Sequence, residues 1–441
     1  MFILLLSFLT IILIIYLVTT LYLKCKMPFW AKQPVFHIYN GWYWLRPPGL
    51  IERNPPSFVD KYVDLWNIQT LSITELLEER ATLLTTLCNF LKNNYVKDNK
   101  FTQYSPTPEH ITAYLQASNH TGYCTIYQRP KLLFEKIEPV ATIEPGATNE
   151  PVATNEPRAT NEPGATNEPM ATNEPVATNE PMATIEELVA VITARPLYVR
   201  LKHKHVSFPT YYVDNLCVSP AYRKKNLAAG MIKTHYYNLR QKNSKIQTCL
   251  FKREGTLNAI VPLVAFQTYC FTLEAFTNTN TILPPTITLL DIGPTQLHLV
   301  VDFMKTHMHQ FPCVILPDVT NFTHLIKTNN LKVYGLLEQH SIIALYVFRS
   351  TEQYYGNEKA SECIATLSAC APTLFRTGFR QALQQLKNVS LVLIEDTAHA
   401  NILLEPFTKA TTGLKFISPT AFFFYNYACY SFSKNDVLII Y

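Results

Sequence analysis

The residues with the clearest chemical potential surround a basic turn that precedes an amphipathic segment. The apolar run from Tyr211 to Val218 predicts a strand, and Ser219-Pro220 predicts a turn after it. Long side chains then recur every four residues, as they do on one face of a helix, at Leu227, Met231, His235 and Leu239. The pattern predicts a strand, a basic turn and a helix.

The turn itself combines positive charge with a backbone suited to anions. Arg223 to Lys225 lie just before the helix, where free N–H groups and the positive end of the helix dipole favour a phosphate. Asn226 tolerates a positive φ, and Ala228 and Ala229 leave room for a close ligand. The turn therefore predicts a pyrophosphate site, although a solvated helix cap has the same sequence signature.

Other candidate sites are weaker. His307 and His309 lack a third nearby ligand for a metal, and the adjacent carboxylates Glu395 and Asp396 would point to opposite faces of a strand. The aromatic run from Phe422 to Tyr425 is typical of a buried strand rather than of a surface that stacks on nucleic-acid bases. We predict no metal site and no nucleic-acid partner.

The composition is that of a folded protein with more than one structural unit. The chain has 441 residues, of which 48% are hydrophobic and 16% charged, and this excludes a disordered polyampholyte and a coiled coil. The ten cysteines are scattered without C-x-x-C pairs, which argues against a zinc module or a disulfide framework and favours a reducing compartment.

The N-terminal segment is long and uncharged. No charged residue occurs from Phe2 to Leu23, a length that spans a hydrocarbon core of roughly 30 Å. We predict an uncleaved transmembrane anchor over residues 1–26 in preference to a signal peptide. Lys24 and Lys26 follow the span, so the body is expected on the cytoplasmic side of a single-pass membrane protein. Cys25 is either a palmitoylation site or an ordinary juxtamembrane cysteine.

A repeat interrupts the chain at residues 138–185. Eight copies of Glu-Pro-x-Ala-Thr-Asn follow one another, with Ile143 and Ile185 replacing the closing Asn in the first and last copies. A proline in every sixth position and few large apolar side chains predict an extended, disordered insert in a loop between two strands. It carries eight Glu and one Arg, which leaves +12 on the rest of a chain whose total is +5. Such a body suits an anionic ligand or membrane face, or is an ordinary solvated surface.

Several segments resemble a known family. Arg223-x-x-Asn226-x-Ala228 resembles the acyl-CoA motif R/Q-x-x-G-x-G/A of the GNAT acyltransferases, with Asn in place of the first glycine. Segments in the same order as in the eukaryotic N-myristoyltransferases are Phe29-Trp30-Ala31-Lys32-Gln33-Pro34-Val35, Asn94-Tyr95-Val96-Lys97-Asp98, Phe101, Tyr104-Ser105-Pro106, Asn215-Leu216-Cys217-Val218 and Phe423-Phe424-Tyr425-Asn426-Tyr427. The resemblance covers residues 29–441 apart from the repeat and is weak between about 272 and 390.

The resemblance implies an α+β protein with two tandem GNAT acyltransferase-like lobes and mixed sheets, behind one N-terminal transmembrane helix. The lobes would be residues 27–137 with 186–285, which bind acyl-CoA, and residues 286–441. Acyl-CoA would be the co-substrate, with no other cofactor. Its implied binding residues are Phe29, Trp30, Arg223, Lys224, Lys225, Asn226, Leu227, Ala228 and Ala229.

The same resemblance implies two catalytic elements. The backbone N–H groups of Asn215 and Leu216 would bind the oxyanion, and the terminal carboxylate of Tyr441 would accept the proton of the acceptor amine. Three residues depart from the family pattern on the peptide side. Asp214 stands in place of an Asn, and Phe251 and Cys270 in place of a Thr and a His.

The expected function is transfer of a long-chain acyl group, with myristoyl as the first candidate, to the N-terminal glycine of a protein. The alternatives are an inactive, membrane-tethered acyl-CoA-binding or scaffold protein and an N-acetyltransferase. We expect a monomer whose partners are acyl-CoA, the acceptor protein and the membrane.

Overall fold

The computed structural model describes residues 2–45, 47, 49–96, 102–116, 119–132, 184–255, 259–277, 282–409 and 413–441. It divides into two compact units, Met1–Gln128 with Leu188–Tyr441 and Arg129–Glu187. The repeat, apart from its last two residues, lies outside the described residues, as do Lys97, Asp98 and Phe101 of the family-like segments. The prediction of a disordered insert therefore stays a prediction.

Three helices of the described residues begin after a residue whose side chain accepts a free backbone N–H group. Thr107 accepts the N–H of His110 ahead of a helix that opens with Pro108, and Asp318 caps another helix in the same way. The helices are α1 (Phe2–Lys26), α2 (Gly41–Leu45), α3 (Ile73–Glu78), α4 (Ala81–Asn94), α5 (Pro108–Leu115), α6 (Leu227–Lys242), α7 (Glu274–Thr277), α8 (Leu297–His307), α9 (Val319–Lys327), α10 (Pro372–Gln384) and α11 (Ala400–Lys409).

The strands are rich in β-branched and aromatic residues, and several are buried on both faces. They are β1 (Gly49–Leu50), β2 (Ile68–Ser72), β3 (Thr102–Tyr104), β4 (Tyr123–Leu132), β5 (Thr184–Leu201), β6 (Val206–Val218), β7 (Cys249–Glu254), β8 (Val264–Thr272), β9 (Ile287–Asp291), β10 (Cys313–Leu316), β11 (Leu331–Glu338), β12 (Ser341–Tyr355), β13 (Glu358–Ser368), β14 (Leu391–Glu395), β15 (Leu414–Tyr425), β16 (Tyr427–Ala428) and β17 (Val437–Ile439). The α+β class is confirmed.

Helix α1 is long and apolar enough to cross a membrane, with a mean hydropathy of 2.9 in its most apolar window. None of its residues is buried against the rest of the chain. A core helix of a soluble protein would hide its apolar side chains, so this exposure agrees with the predicted span.

One large mixed sheet runs through the larger unit. Its main path is β17-β10-β5-β6-β7-β15-β8-β14-β13-β12-β11-β9. Neighbours along it are antiparallel except for three parallel pairs, β10 with β17, β6 with β7, and β13 with β14. Strands from both sides of the predicted boundary at residue 285 therefore alternate in the sheet. Because they share it so closely, the division into two lobes stays a prediction.

The chain ends inside the core. Strand β17 pairs parallel with β10, and Ile440 donates its N–H to the Ile315 carbonyl, 2.9 Å away. Tyr441 is fully buried. The apolar tail from Val437 to Tyr441 therefore runs inward, with a strand over its first three residues.

Candidate functional site

A cavity of about 1030 Å³ opens between β6 and β7. The two strands pair in parallel only from Tyr211 to Val213 on β6 and from Cys249 to Phe251 on β7. Beyond these pairs β6 continues to Val218 and β7 to Glu254, and the structure shows no further pairing between them. The two strands therefore leave a gap in the sheet, and the cavity passes through this gap from one face of the sheet to the other.

Side chains alternate along the strands, so the cavity has two chemically different sides. What we call the apolar side comprises Ile192, Ala228, Ile232, His235, Tyr236 and Cys249. What we call the polar side comprises Thr193, Arg195, Tyr212, Asp214, Lys252 and Arg349.

The apolar side is uncharged, although it contains a histidine. His235 is 2% exposed, and burial lowers its pKa to about 3. Its Nδ1 shares a hydrogen bond of 2.6 Å with the Thr125 hydroxyl. The imidazole is therefore neutral at pH 7, and this side suits an aliphatic chain.

Trp30 forms part of an aromatic stack beside the gap. Its ring lies 5.7 Å from that of Phe251, and Phe251 lies 5.4 Å from Phe423, with interplanar angles of 21° and 18°. Phe29 packs edge-on against Trp30 and Tyr62. Trp30 and Phe251 line the cavity, whereas Phe29 supports Trp30 from outside the lining.

The basic turn has the geometry expected from its residues. Lys224 and Asn226 have φ values of 62° and 59°, and α6 begins at Leu227. Asn226 thus adopts the positive φ that its residue type tolerates. Lys224 and Lys225 are exposed, and Ala228 on the first turn of α6 lines the cavity. The turn thus lies where the apolar side begins.

Arg223 differs from its two basic neighbours. Its Nε donates to the Val218 carbonyl at 3.1 Å, and its Nη2 donates to the Asn94 carbonyl at 3.0 Å. The guanidinium therefore ties the turn to the end of β6 and to the last residue of α4.

A bulge marks the point where β6 turns away from its neighbour β5. Val191 pairs with Cys217 and Thr193 with Asp214, so Asn215 and Leu216 lie opposite one residue. Asn215 has a φ of 53°. Its N–H donates to Oδ1 of Asp214 at 2.8 Å, and so one of the two N–H groups predicted to bind an oxyanion already has a carboxylate partner.

A buried cluster of charges lies behind the polar side. Lys252 Nζ is 2.6 Å from Glu395 and 2.8 Å from Glu362, and Glu362 also pairs with Arg349. The Tyr441 hydroxyl donates to Glu395 at 2.7 Å and accepts from Lys252 at 2.9 Å. Tyr441 does not itself line the cavity, but Lys252 and Arg349 do.

The two carboxylates of this cluster have opposite pKa shifts. Burial raises the pKa of Glu395 to about 7, because Lys252 and the hydrogen bond from Tyr441 offset that effect only in part and the nearby Glu362 carboxylate adds to it. Oε2 of Glu395 also lacks a hydrogen-bond partner among the described residues. Burial also acts on Glu362, but Lys252 and Arg349 outweigh it and lower the pKa to about 2. Glu395 is therefore the carboxylate of this cluster that exchanges a proton near neutral pH.

Comparison with solved structures identifies the architecture. Two structures of Saccharomyces cerevisiae N-myristoyltransferase with bound myristoyl-CoA match at TM-scores of 0.61 and 0.60, each with 14% identity. They cover 93% and 94% of this chain and 90% and 99% of their own. A third, with myristoyl-CoA and inhibitors, matches at a TM-score of 0.61 and 13% identity over 94% of this chain and 95% of its own. No family model and no curated protein matches.

The fold is that of an N-myristoyltransferase. The resemblance and the fold class inferred from the sequence are thereby confirmed, in a chain whose identity to the matched structures is very low. The two-sided cavity, the bulge and the basic turn are the features of this N-myristoyltransferase-like fold that bear on chemistry.

Of the three departures noted in the sequence, two lie at the cavity and one does not. Asp214 lines the polar side, and Phe251 lines the cavity within its aromatic stack. Cys270 instead packs between Ala360, Leu391 and Leu393 in the interior. Cys270 does not line the cavity because β8 directs its side chain into an apolar cluster, and its correspondence to the family's His stays a prediction.

Sequence reasoning missed the charged residues of the polar side. Arg195 interrupts an apolar strand and Arg349 directly follows the apolar run of β12, whereas Lys252 begins a run of three charged residues and Glu362 shares its strand with Glu358 and Lys359. A single charge inside a buried strand is costly unless it has a partner or a function, and this signal could have drawn attention to Arg195 and Arg349. The partners of Lys252 could not have been read from the sequence because they come from distant strands.

Proposed function

We propose that this protein transfers a long-chain acyl group from acyl-CoA to an amine. The observation that carries the proposal is the cavity that passes between β6 and β7, apolar beside α6 and polar on the other face. An acyl chain and an amine acceptor require such contrasting surroundings, and the gap lets them meet. Myristoyl-CoA, which the matched yeast structures bind, is the proposed donor, and the N-terminal glycine of a protein is the proposed acceptor.

The basic turn would hold the CoA end of the donor. Lys224 and Lys225 project from it, and the first N–H groups of α6, on Leu227, Ala228 and Ala229, are available for a pyrophosphate. Arg223 and Asn226 would fix the turn, and Trp30 with Phe29 would close the cavity beside the thioester.

In the reaction, the amine attacks the thioester carbon and negative charge develops on its oxygen. The N–H groups of Asn215 and Leu216 would bind that oxygen. Because Tyr441 is buried and does not line the cavity, its terminal carboxylate would take the proton from the nitrogen only after a rearrangement brings the two together, and the CoA sulfur would leave and be protonated. Because Asp214 accepts the N–H of Asn215, its carboxylate must turn away before the oxyanion forms.

A second candidate follows from the same contact. If Asp214 stays bonded to Asn215, the oxyanion loses one donor and faces a nearby negative charge. Loss of one such donor costs about 10²–10³-fold in rate. The protein would then bind acyl-CoA without transferring the acyl group.

A single-turnover assay with bound myristoyl-CoA and glycine-initiated peptides separates the two candidates. Transfer by the natural protein supports the acyltransferase. Binding without transfer, followed by a gain of at least tenfold in Asp214→Asn, supports the binding protein, because the variant removes the negative charge from the oxyanion site. Asp302→Asn, an exposed position on α8, is the matched control. Failure of myristoyl-CoA to bind, measured by native mass spectrometry, contradicts both.

The exposed helix α1 supports a membrane anchor for this activity. A long-chain acyl-CoA partitions into bilayers, and a tethered enzyme would meet it there. We propose a single span with the body on the cytoplasmic side, as the lysines after the span favour.

A further inference from the structure

Arg195 is a buried cation in a strand that is otherwise apolar around it. It lies on β5 between Ala194 and Pro196 and is 5% exposed. Its guanidinium carbon lies 4.2 Å from the centre of the Tyr114 ring and 4.7 Å from that of Tyr212. Two aromatic faces thus hold the guanidinium in place at the cavity, which Arg195 and both tyrosines line.

No carboxylate of the described residues forms an ion pair with this guanidinium. Arg195 has no hydrogen bond or ion pair with any residue that the structure describes, and its Nε and Nη2 are buried without partners. The other two buried cations of the polar side have carboxylate partners, Lys252 with Glu362 and Glu395, and Arg349 with Glu362, although Nε of Arg349 has no hydrogen-bond partner among the described residues. A buried charge without a partner is costly, and ring contacts alone leave the N–H donors of Arg195 unused.

Arg195 lies close to the bulge where the acceptor amine is proposed to react. On the antiparallel pair of β5 and β6, Arg195 lies opposite Tyr212 and Thr193 lies opposite Asp214. The four side chains share one face of the sheet. Arg195 is two residues from Thr193 along β5, about 7 Å at a strand's rise per residue. A ligand whose amine reaches the bulge can therefore place a nearby group against Arg195.

We propose that Arg195 binds a carboxylate carried by the acceptor close to its reactive amine. Guanidinium forms charge-assisted and often bidentate hydrogen bonds with carboxylates, and a carboxylate here would use the donors that the protein leaves unpaired. The carboxylate would be an acidic side chain in the first few residues of a glycine-initiated peptide or the α-carboxylate of a free amino acid. The inference rests on the proposed function, since it specifies the acceptor for that site.

The test compares ligands that differ only in charge. Binding is measured by calorimetry with the full chain, first alone and then with a non-hydrolysable thioether analogue of myristoyl-CoA. One arm pairs glycine-initiated peptides carrying Asp or Glu at the second or third residue with the same peptides carrying Asn or Gln. The other arm pairs free glycine with glycinamide.

We expect the acidic member of one arm to bind at least tenfold tighter than its amide, and Arg195→Gln to remove that preference while changing the affinity of the amide less than threefold. Arg195→Lys should keep part of the preference. Arg200→Gln, on the same strand but bonded to the Met308 carbonyl, should keep all of it. The arm that shows the preference identifies the source of the carboxylate.

If the natural protein binds the acidic ligand and its amide equally in both arms, the inference is overturned. This comparison needs no variant, so it holds even if Arg195→Gln fails to fold. A preference that survives in folded Arg195→Gln overturns it as well. If the thioether analogue does not bind, the proposed function fails, but the preference of the protein alone still decides whether Arg195 recognises a carboxylate. If the analogue binds and no preference exists, the inference alone fails.

Discussion

Glu395 and Glu362 show how two identical side chains acquire different chemistry from their surroundings. Both are buried, and both contact Lys252. Glu362 also contacts Arg349, whereas one oxygen of Glu395 has no hydrogen-bond partner in the described part of the chain. One additional cation therefore separates a carboxylate that stays ionised from one that protonates near neutral pH.

This difference predicts how stability depends on pH. The pKa of Glu395 rises from 4.5 to about 7 on folding, so the folded state holds a proton that the unfolded chain releases between these values. The stability contributed by protonation is full below pH 4.5 and is lost as the pH rises to 7, by up to about 3 kcal/mol. Glu395→Gln cannot titrate and should escape the loss.

The measurement is the melting temperature of the natural protein minus that of Glu395→Gln, followed from pH 4.5 to 7.5. We expect this difference to become more negative as the pH rises. His235, whose buried imidazole has the opposite trend, contributes to both proteins and cancels. The control is Glu78→Gln, at an exposed position. The melting temperature of the natural protein minus that of this variant should not change with pH. A flat difference for Glu395→Gln would mean that Glu395 is ionised throughout this range.

Residue-scale features were predictable where local chemistry decides them. The left-handed conformation of Asn226 follows from its residue type and its place before a helix. The lack of a hydrogen-bond or ion-pair partner for Arg195 among the described residues could not be predicted in this way, because it depends on which strands and rings surround the side chain after folding. Nor could the contact between Asp214 and Asn215 be foreseen, since it requires the bulge.

At the scale of elements, the strand, turn and helix from β6 to α6 were predicted from periodicity, and the structure has them. The separation of β6 from β7 was not predicted. Periodicity indicates which face of a strand is apolar, but pairing with a distant strand decides where two neighbours part. The cavity that carries the proposed function therefore depends on how distant strands pair, which no single segment of the sequence determines.

The turn before α6 offers a test at this scale. Asn226 has a φ of 59°, which glycine adopts freely and alanine does not. We expect Asn226→Ala to lower the free energy of unfolding by about 1 kcal/mol and to weaken acyl-CoA binding, because the strained turn no longer presents its N–H groups correctly. Asn226→Gly should do neither.

Thermal unfolding and calorimetry with myristoyl-CoA measure the two effects on the same preparations. Equal binding by the alanine and glycine variants would show that the conformation of this residue does not matter to the ligand. Weaker binding by both would instead indicate that the Asn226 side chain itself contacts the ligand.

For the whole molecule, the exposed helix α1 predicts a separable anchor. Deleting residues 2–26 removes no buried side chain, so the melting temperature and the affinity for myristoyl-CoA should stay nearly unchanged. The shortened protein should no longer sediment with liposomes, whereas the full chain should. Sedimentation of the shortened protein would show that another surface binds the membrane, and a large drop in melting temperature would show that α1 packs on the body.

The place of β15 in the sheet has a consequence for how the protein reaches its native state. This strand lies between β7 and β8, although about 160 residues separate it from β7 and about 140 from β8 in the chain. Until β15 is available, β7 and β8 present unpaired edges that can pair with other chains. Because such distant contacts also form slowly, refolding should be slow and its yield should fall as protein concentration rises. The risk of pairing with other chains ends only when β15 lies between β7 and β8 and pairs with both.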